Sequence, residues 1–115
     1  MPSKLPVKAK EKTPAGRVPS FAPDVAKAFG TAIRERRLER DIAQDAFAYA
    51  AGIDRSYYGK LERGERQPSL ALLLRIADGL QLPGWELLRE VESRLRVSRK
   101  TLRASVHERK SDKAS

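Results

Sequence analysis

Apolar residues along this chain recur at three- and four-residue spacing, and alternation at period two is absent. That pattern predicts helices and no strands. Val25, Phe29, Ile33 and Leu38 form one stripe, so a first helix is expected from about Val25 to Leu38, with Asp24 as its N-cap. A break is expected at 39–42. A short second helix follows, Gln44 to Ala51, turning Phe47, Ala48 and Ala51 inward. Gly52 supplies a turn that most side chains would strain. Asp54 caps a third helix, Arg55 to about Arg63, and Gly64 stops it. Pro68 and Ser69 open a fourth, Leu70 to about Leu80, with Leu70, Leu73, Leu74, Ile76, Ala77 and Leu80 expected to be buried. Pro83 suits the first turn of a fifth, which carries Trp85, Leu88, Val91 and Leu95. Five helices in roughly 75 residues, joined by short connections, predict a compact all-α domain over residues 24–97.

Charge changes the picture at the two ends. The 115 residues carry a formal net charge of +9. Residues 1–23 hold Lys4, Lys8, Lys10, Lys12 and Arg17 against Glu11 alone, with five of the seven prolines. This arm has too little apolar surface to bury and is expected to be disordered. Residues 98–115 form a second basic segment, read as a frayed tail or a helical extension. The middle is nearly neutral, so the pI near 10.3 is weaker evidence for a nucleic-acid partner than it first looks. The tails are either solvated arms or arms that touch phosphate.

Composition excludes several chemistries. No cysteine is present, which removes disulfides, zinc fingers and thiol nucleophiles. A single histidine, His107, argues against histidine metal sites and acid–base catalysis. No glycine-rich phosphate loop or nucleophile–base pairing occurs. The carboxylates Glu62 and Glu65, or Asp41 and Asp45, read better as a salt bridge and helix-end charges than as catalytic pairs. An enzyme, a metal or a cofactor is therefore not expected. Nor is a small-molecule ligand, for want of a second domain to hold one. No apolar run approaches the roughly 20 residues of a membrane span, and no secretory signal opens the chain. The expected setting is the cytoplasm.

The segment 44–63, QDAFAYAAGIDRSYYGKLER, carries the functional signal. Two short helices flank a glycine turn. Small Ala48 lets them cross closely, Gly52 allows the sharp turn, and Ile53, Tyr58 and Leu61 pin the third helix to the core. This is helix-turn-helix spacing, which frees the outer face of the third helix to enter a major groove.

Residues 29–88 resemble the helix-turn-helix family of phage repressors, Cro and the xenobiotic-response-element regulators. The pieces that carry the resemblance are FGTAIRERR (29–37), IAQDAFAYAAGI (42–53), DRSYYGKLERGERQPS (54–69) and LLRIADGLQLPGWELL (73–88). The string DRSYYGKLERGERQPSL resembles restriction–modification controller proteins in particular. The resemblance implies a lambda-repressor-like fold and binding of double-stranded DNA. It implies that Gln44 meets a phosphate, that Arg55, Ser56 and Lys60 reach base edges, and that Tyr57 and Gly59 lie between or beside them. Arg37 and Glu62 match a pair tying the first helix to the third. Arg63 and Arg66 flank a loop that touches the DNA backbone.

The residue chemistry agrees in part. Arg55, first on the helix, can fork onto guanine O6 and N7. Lys60 sits five residues on, nearer the groove edge. Gly59 is either a close approach to DNA or a tolerated small residue, and Tyr57 either meets DNA or covers the core edge. Three residues depart from the family pattern: Tyr58 replaces Ile or Val, Gln81 replaces Gly, and Asp54 replaces Ser or Thr.

One recognition helix reads few base pairs, so a homodimer on a two-fold operator is expected. Leu88, Val91, Leu95, Leu102 and Val106 fall near heptad spacing, interrupted by Ser98. Trp85, Leu88, Val91 and Leu95 are the expected dimer interface; the alternative is a fifth helix that only caps its own core. A competing function is an antitoxin, which would bind a protein partner as well as its own promoter.

Overall fold

The computed structural model describes residues 19–114, with side chains through residue 104. Most of the basic arm and Val106 therefore lie outside the described residues or side chains. Five helices occur among the described residues: α1 (Pro23–Glu39), α2 (Gln44–Ala51), α3 (Arg55–Glu62), α4 (Leu70–Gly79) and α5 (Gly84–Ala114). The all-α expectation holds, and so does the order of elements.

Local chemistry explains most boundaries. The Asp54 carboxylate accepts the Tyr57 N–H at 3.0 Å, so the expected cap at Asp54 is met, and the Ser69 hydroxyl accepts the Leu72 N–H at 3.1 Å where the fourth helix opens. Gly52 closes α2 in the left-handed region, with φ of 73°. The first helix departs from expectation. It starts at Pro23 rather than after Asp24, and its N-cap is Ala22, which makes no side-chain cap bond. Proline tolerates that first turn because its missing N–H would have no partner there. Arg63 is the C-cap of α3 rather than its last turn. Gln81 adopts φ of 61° where glycine is the easy choice.

The core is built by Phe29, Ile33, Phe47, Tyr58, Leu61, Ile76, Leu87 and Val91, with Ala32, Ala48 and Ala77 filling between them. The Phe47 and Tyr58 rings meet at 5.3 Å in a tilted pair. Burying side chains of this size stabilises by about 1.5–3 kcal/mol each. α1 and α3 cross closely at Gly30. A Cβ added to Gly30 would stand 2.5 Å from the carbonyl oxygens of Leu61 and Glu62. Only a glycine admits that approach of two backbones.

Three expected core positions are corrected. Leu38, Leu70 and Leu74 are exposed. Leu38 lies in the last turn of α1, where Arg37 takes the buried place beside it. Leu70 and Leu74 share one face of α4, one turn apart, and that face looks outward. On α5 the inward stripe is Leu87, Val91 and Leu95, at i, i+4 and i+8. Ion pairs along the α1–α5 seam link Arg36 to Glu90 at 2.8 Å, Glu35 to Arg94, and Asp24 to Arg99 at 2.8 Å.

Candidate nucleic-acid interface

The site begins with what holds α3. Its inner face buries Tyr58, Gly59, Leu61 and Glu62. The Glu62 carboxylate accepts two bonds from Arg37, Nε to Oε2 at 2.7 Å and Nη2 to Oε1 at 2.9 Å. Arg37 Nη1 also donates to the Ile42 carbonyl at 2.8 Å. Gln44, the first residue of α2, donates its Nε2 to Glu62 Oε1 at 2.9 Å. One carboxylate thus joins α1, the α1–α2 connection, α2 and α3. Burial works against the Glu62 charge. The Arg37 fork and the Gln44 bond outweigh it, with the Tyr58 hydroxyl alongside, and the pKa stays below the usual carboxylate value. The Tyr58 hydroxyl meets no hydrogen-bond partner of its own. Burial first, then the adjacent Glu62 charge, push its pKa far above the ordinary tyrosine value.

The outer face of α3 is different. Arg55 and Ser56 are exposed at its start, and Lys60 is half-buried one and a half turns on. Arg55 Nη1 rests 3.1 Å from Asp45 Oδ2 on α2, with both side chains mostly in solvent. Tyr57 is half-buried and packs on the core, so much of its ring covers the core edge. Gly59 is buried rather than open. A Cβ there would meet the Arg63 guanidinium at 3.1 Å and Gln44 Oε1 at 3.6 Å. Those two side chains cover the position.

Arg63 and Arg66 lie on the loop that follows α3, and both are exposed. Arg63 donates to the Glu65 carboxylate from Nε at 2.9 Å, and Arg66 donates to the Glu65 carbonyl at 3.1 Å. The Arg63 bond holds the Glu65 pKa below its ordinary value. Gln44 starts α2, whose N-cap Ala43 supplies no side-chain acceptor. The first N–H groups of α2 therefore have no side-chain cap. Such an end suits an anion.

The four residues expected to pair two copies divide. Trp85 and Leu88 are exposed, and Trp85 carries the Arg89 guanidinium 5.4 Å from its ring centre. Val91 belongs to the chain's own core and Leu95 is half-buried against it. The difference has a simple cause. The inward stripe is set by Leu87, one residue before Leu88, and Val91 follows it by one turn. Leu74 packs over Gly84 at the start of α5, and Leu70 and Leu74 are both exposed. Sequence reasoning placed these two in the core, and missed that Gln44 bonds to Glu62.

Comparison with known proteins points the same way. A helix-turn-helix family model matches residues 33–87. Control protein C.MunI of Mycoplasma sp is 36% identical over 70 residues, covering 60% of this chain and 95% of its own. The crystal structure of the restriction–modification controller C.AhdI from Aeromonas hydrophila is 39% identical, with a TM-score of 0.52 over 54% of this chain and 94% of that one. The controller C.Esp1396I, solved as a tetramer with its natural 35 base-pair operator, has a TM-score of 0.57 at 24% identity. It covers 62% of this chain and 93% of that one, and the likeness is one of fold.

Proposed function

Because this chain belongs to the helix-turn-helix family of transcriptional regulators, we propose that it is a sequence-specific DNA-binding regulator. It acts in the prokaryotic cytoplasm as a homodimer on a two-fold operator, and controls its own transcription in the manner of controller proteins. Its work is binding rather than catalysis. The observation that carries this reading is the buried Arg37–Glu62–Gln44 lock, which fixes α3 and leaves Arg55, Ser56 and Lys60 on an open face.

In this mechanism α3 enters the major groove by its N-terminal end. Arg55 leaves the exposed Asp45 carboxylate and forks onto a guanine edge, a contact worth about 1–3 kcal/mol of base discrimination. Ser56 and Lys60 read neighbouring positions, and the exposed rim of Tyr57 faces the groove wall. Gln44 and the α2 N-terminus take one phosphate, while Arg63 and Arg66 take others. Gly59 serves by letting Arg63 and Gln44 lie flat over α3 rather than by touching a base. The second copy docks on the exposed face of Trp85 and Leu88, extended by Leu70 and Leu74. Val91 and Leu95 support that face from beneath. The antitoxin alternative is set aside, since the controller proteins are the relatives at hand.

The test is a footprint of the purified protein on DNA upstream of its own gene, with scrambled DNA as competitor. Protection of a two-fold sequence with half-sites about 34–36 Å apart, or a multiple of that, supports the reading. Uniform protection that the competitor abolishes overturns it.

A further inference from the structure

Past Leu95, α5 turns cationic. From Arg96 to Arg103 it reads RVSRKTLR, four cations and no carboxylate. Arg96, Arg99, Lys100 and Arg103 are all exposed. At about 3.6 residues per turn the four fall within an arc of about 100°, so they share one face of the helix. Arg96, Arg99 and Arg103 line a shallow cleft of about 260 Å³ together with Leu95 and Glu92. Glu92 marks its near end, so the cationic part lies toward Arg103. Among the described residues, Arg96, Lys100 and Arg103 form no ion pair. Arg99 is tied to Asp24 in the first turn of α1, through Nε at 3.2 Å and Nη2 at 2.8 Å.

That tie sets the cleft at the end of α1 that also borders the α3–α4 loop. The N–H of Ala22, the α1 N-cap, donates to Gln67 of that loop at 2.9 Å. Gly64 packs so closely on α1 that a Cβ would stand 3.0 Å from Lys27 Cα. Lys27 is exposed and also lines the groove between α1 and α5, with Arg94, Leu95 and Ser98. It thus touches both the loop that carries Arg63 and Arg66 and the groove beside the α5 cations. An exposed arginine gains little from a free anion in water. A chain of phosphates that runs across loop, lysine and cleft gains at each contact, because each one releases a counterion, and forked guanidinium groups match phosphate oxygens in pairs. We propose that the cleft of Arg96, Arg99 and Arg103 is a further backbone-phosphate site for duplex DNA, next to the phosphates given to Arg63 and Arg66, which lengthens the footprint of each copy. It lies beyond residue 87, where the family match ends, and Arg99 is about 20 Å along α5 from Trp85, the face assigned to the second copy. This rests on the DNA-binding reading above.

The test uses the full chain and a duplex that the wild-type protein enriches from a random-sequence library. One variant carries Arg96→Gln and Arg103→Gln. A control of equal charge carries Arg34→Gln and Arg75→Gln, at two exposed positions on α1 and α4. Arg99 stays, since it ties α5 to α1. The readouts are hydroxyl-radical footprints, the slope of log affinity against log salt, and the thermal midpoint. The cleft variant is expected to keep the preferred sequence and the midpoint, and to lose protection at one flank of each half-site. Its salt slope should fall by about 0.9 for each phosphate contact removed, about 1.8 for two. The control is expected to keep the whole footprint and to change the slope far less. A cleft variant that matches the control in footprint and slope, while the wild type binds, overturns the proposal alone. A changed sequence preference would make these arginines base readers, and a uniform loss with a lowered midpoint would make them structural; either overturns it. Failure of the wild type to enrich any duplex removes the DNA-binding reading itself, and the proposal with it.

Discussion

The two faces of α3 use the same chemistry with opposite results. On the inner face Arg37 grips Glu62 at 2.7 Å, with side chains only 7% and 2% exposed. On the outer face Arg55 touches Asp45 at 3.1 Å, with side chains 71% and 63% exposed. The distances barely differ. Water decides the rest. An arginine and a carboxylate already stripped of solvent cannot separate without leaving a buried charge unpaired. A solvated pair separates at little cost, since water replaces each partner. The inner pair is therefore a fastening, and the outer pair is one that a competing acceptor can open. One face of α3 is fixed and the other is available.

The comparison can be broken most strongly at Glu62. Glu62→Ala strands Arg37 in the interior and is expected to cost about 3–5 kcal/mol in a urea titration. DNA binding should fall for all sequences alike, because α3 loses its seat. Acid should do the same more gently. The folded-state pKa of Glu62 lies below an unfolded value near 4.5. Its contribution is thus complete above that value and fades as pH falls through the lower folded value. Stability measured from pH 7 down to pH 3 should show this loss in the wild type. Glu62→Gln should start less stable at pH 7 and lack that part of the decline.

Gly30→Ala attacks the same seat without touching charge. Its methyl group meets two carbonyl oxygens, so α1 and α3 must part, at about 1–3 kcal/mol in thermal melts. The outer face should respond in the reverse sense. Arg55→Ala is expected to leave stability almost unchanged and to relax preference at one base position by about 1–3 kcal/mol, read by binding to single-base operator variants. An unchanged preference would remove Arg55 from base reading. Asp45→Asn should have the smallest effect, a stability change of about 0.5 kcal/mol or less, with Arg55 reaching the groove more readily at low salt.

Much of the site is legible in residues 44–63. The cap at Asp54, the turn at Gly52 and the small Ala48 each act within one or two turns of chain, so their effect follows from local geometry. The Arg37–Glu62 pair came from the family pattern, not from local spacing, since 25 residues separate the partners. Gln44 was legible as a helix start but not as a third donor to Glu62. Gly59 had two open readings, and its cover of Arg63 and Gln44 comes from two other elements. On α5, a stripe beginning at Leu88 and one beginning at Leu87 both satisfy helical spacing. Only the packing against α1 chooses Leu87, Val91 and Leu95, and leaves Leu88 outside.

By itself, then, the order of side chains determined that this protein is helical, where four of its five helices start, and which short helix follows the glycine turn. Those outcomes depend on hydrogen bonds and torsions within a few residues. The tertiary structure decided which apolar residues stay wet, and which arginine pair is buried and which is solvated. Those depend on which distant surface excludes water from a given group, as the packing of α1 on α3 does for the Arg37–Glu62 pair across 25 residues, and the free energy of a charge or an amide follows its solvent more than its neighbours in the chain.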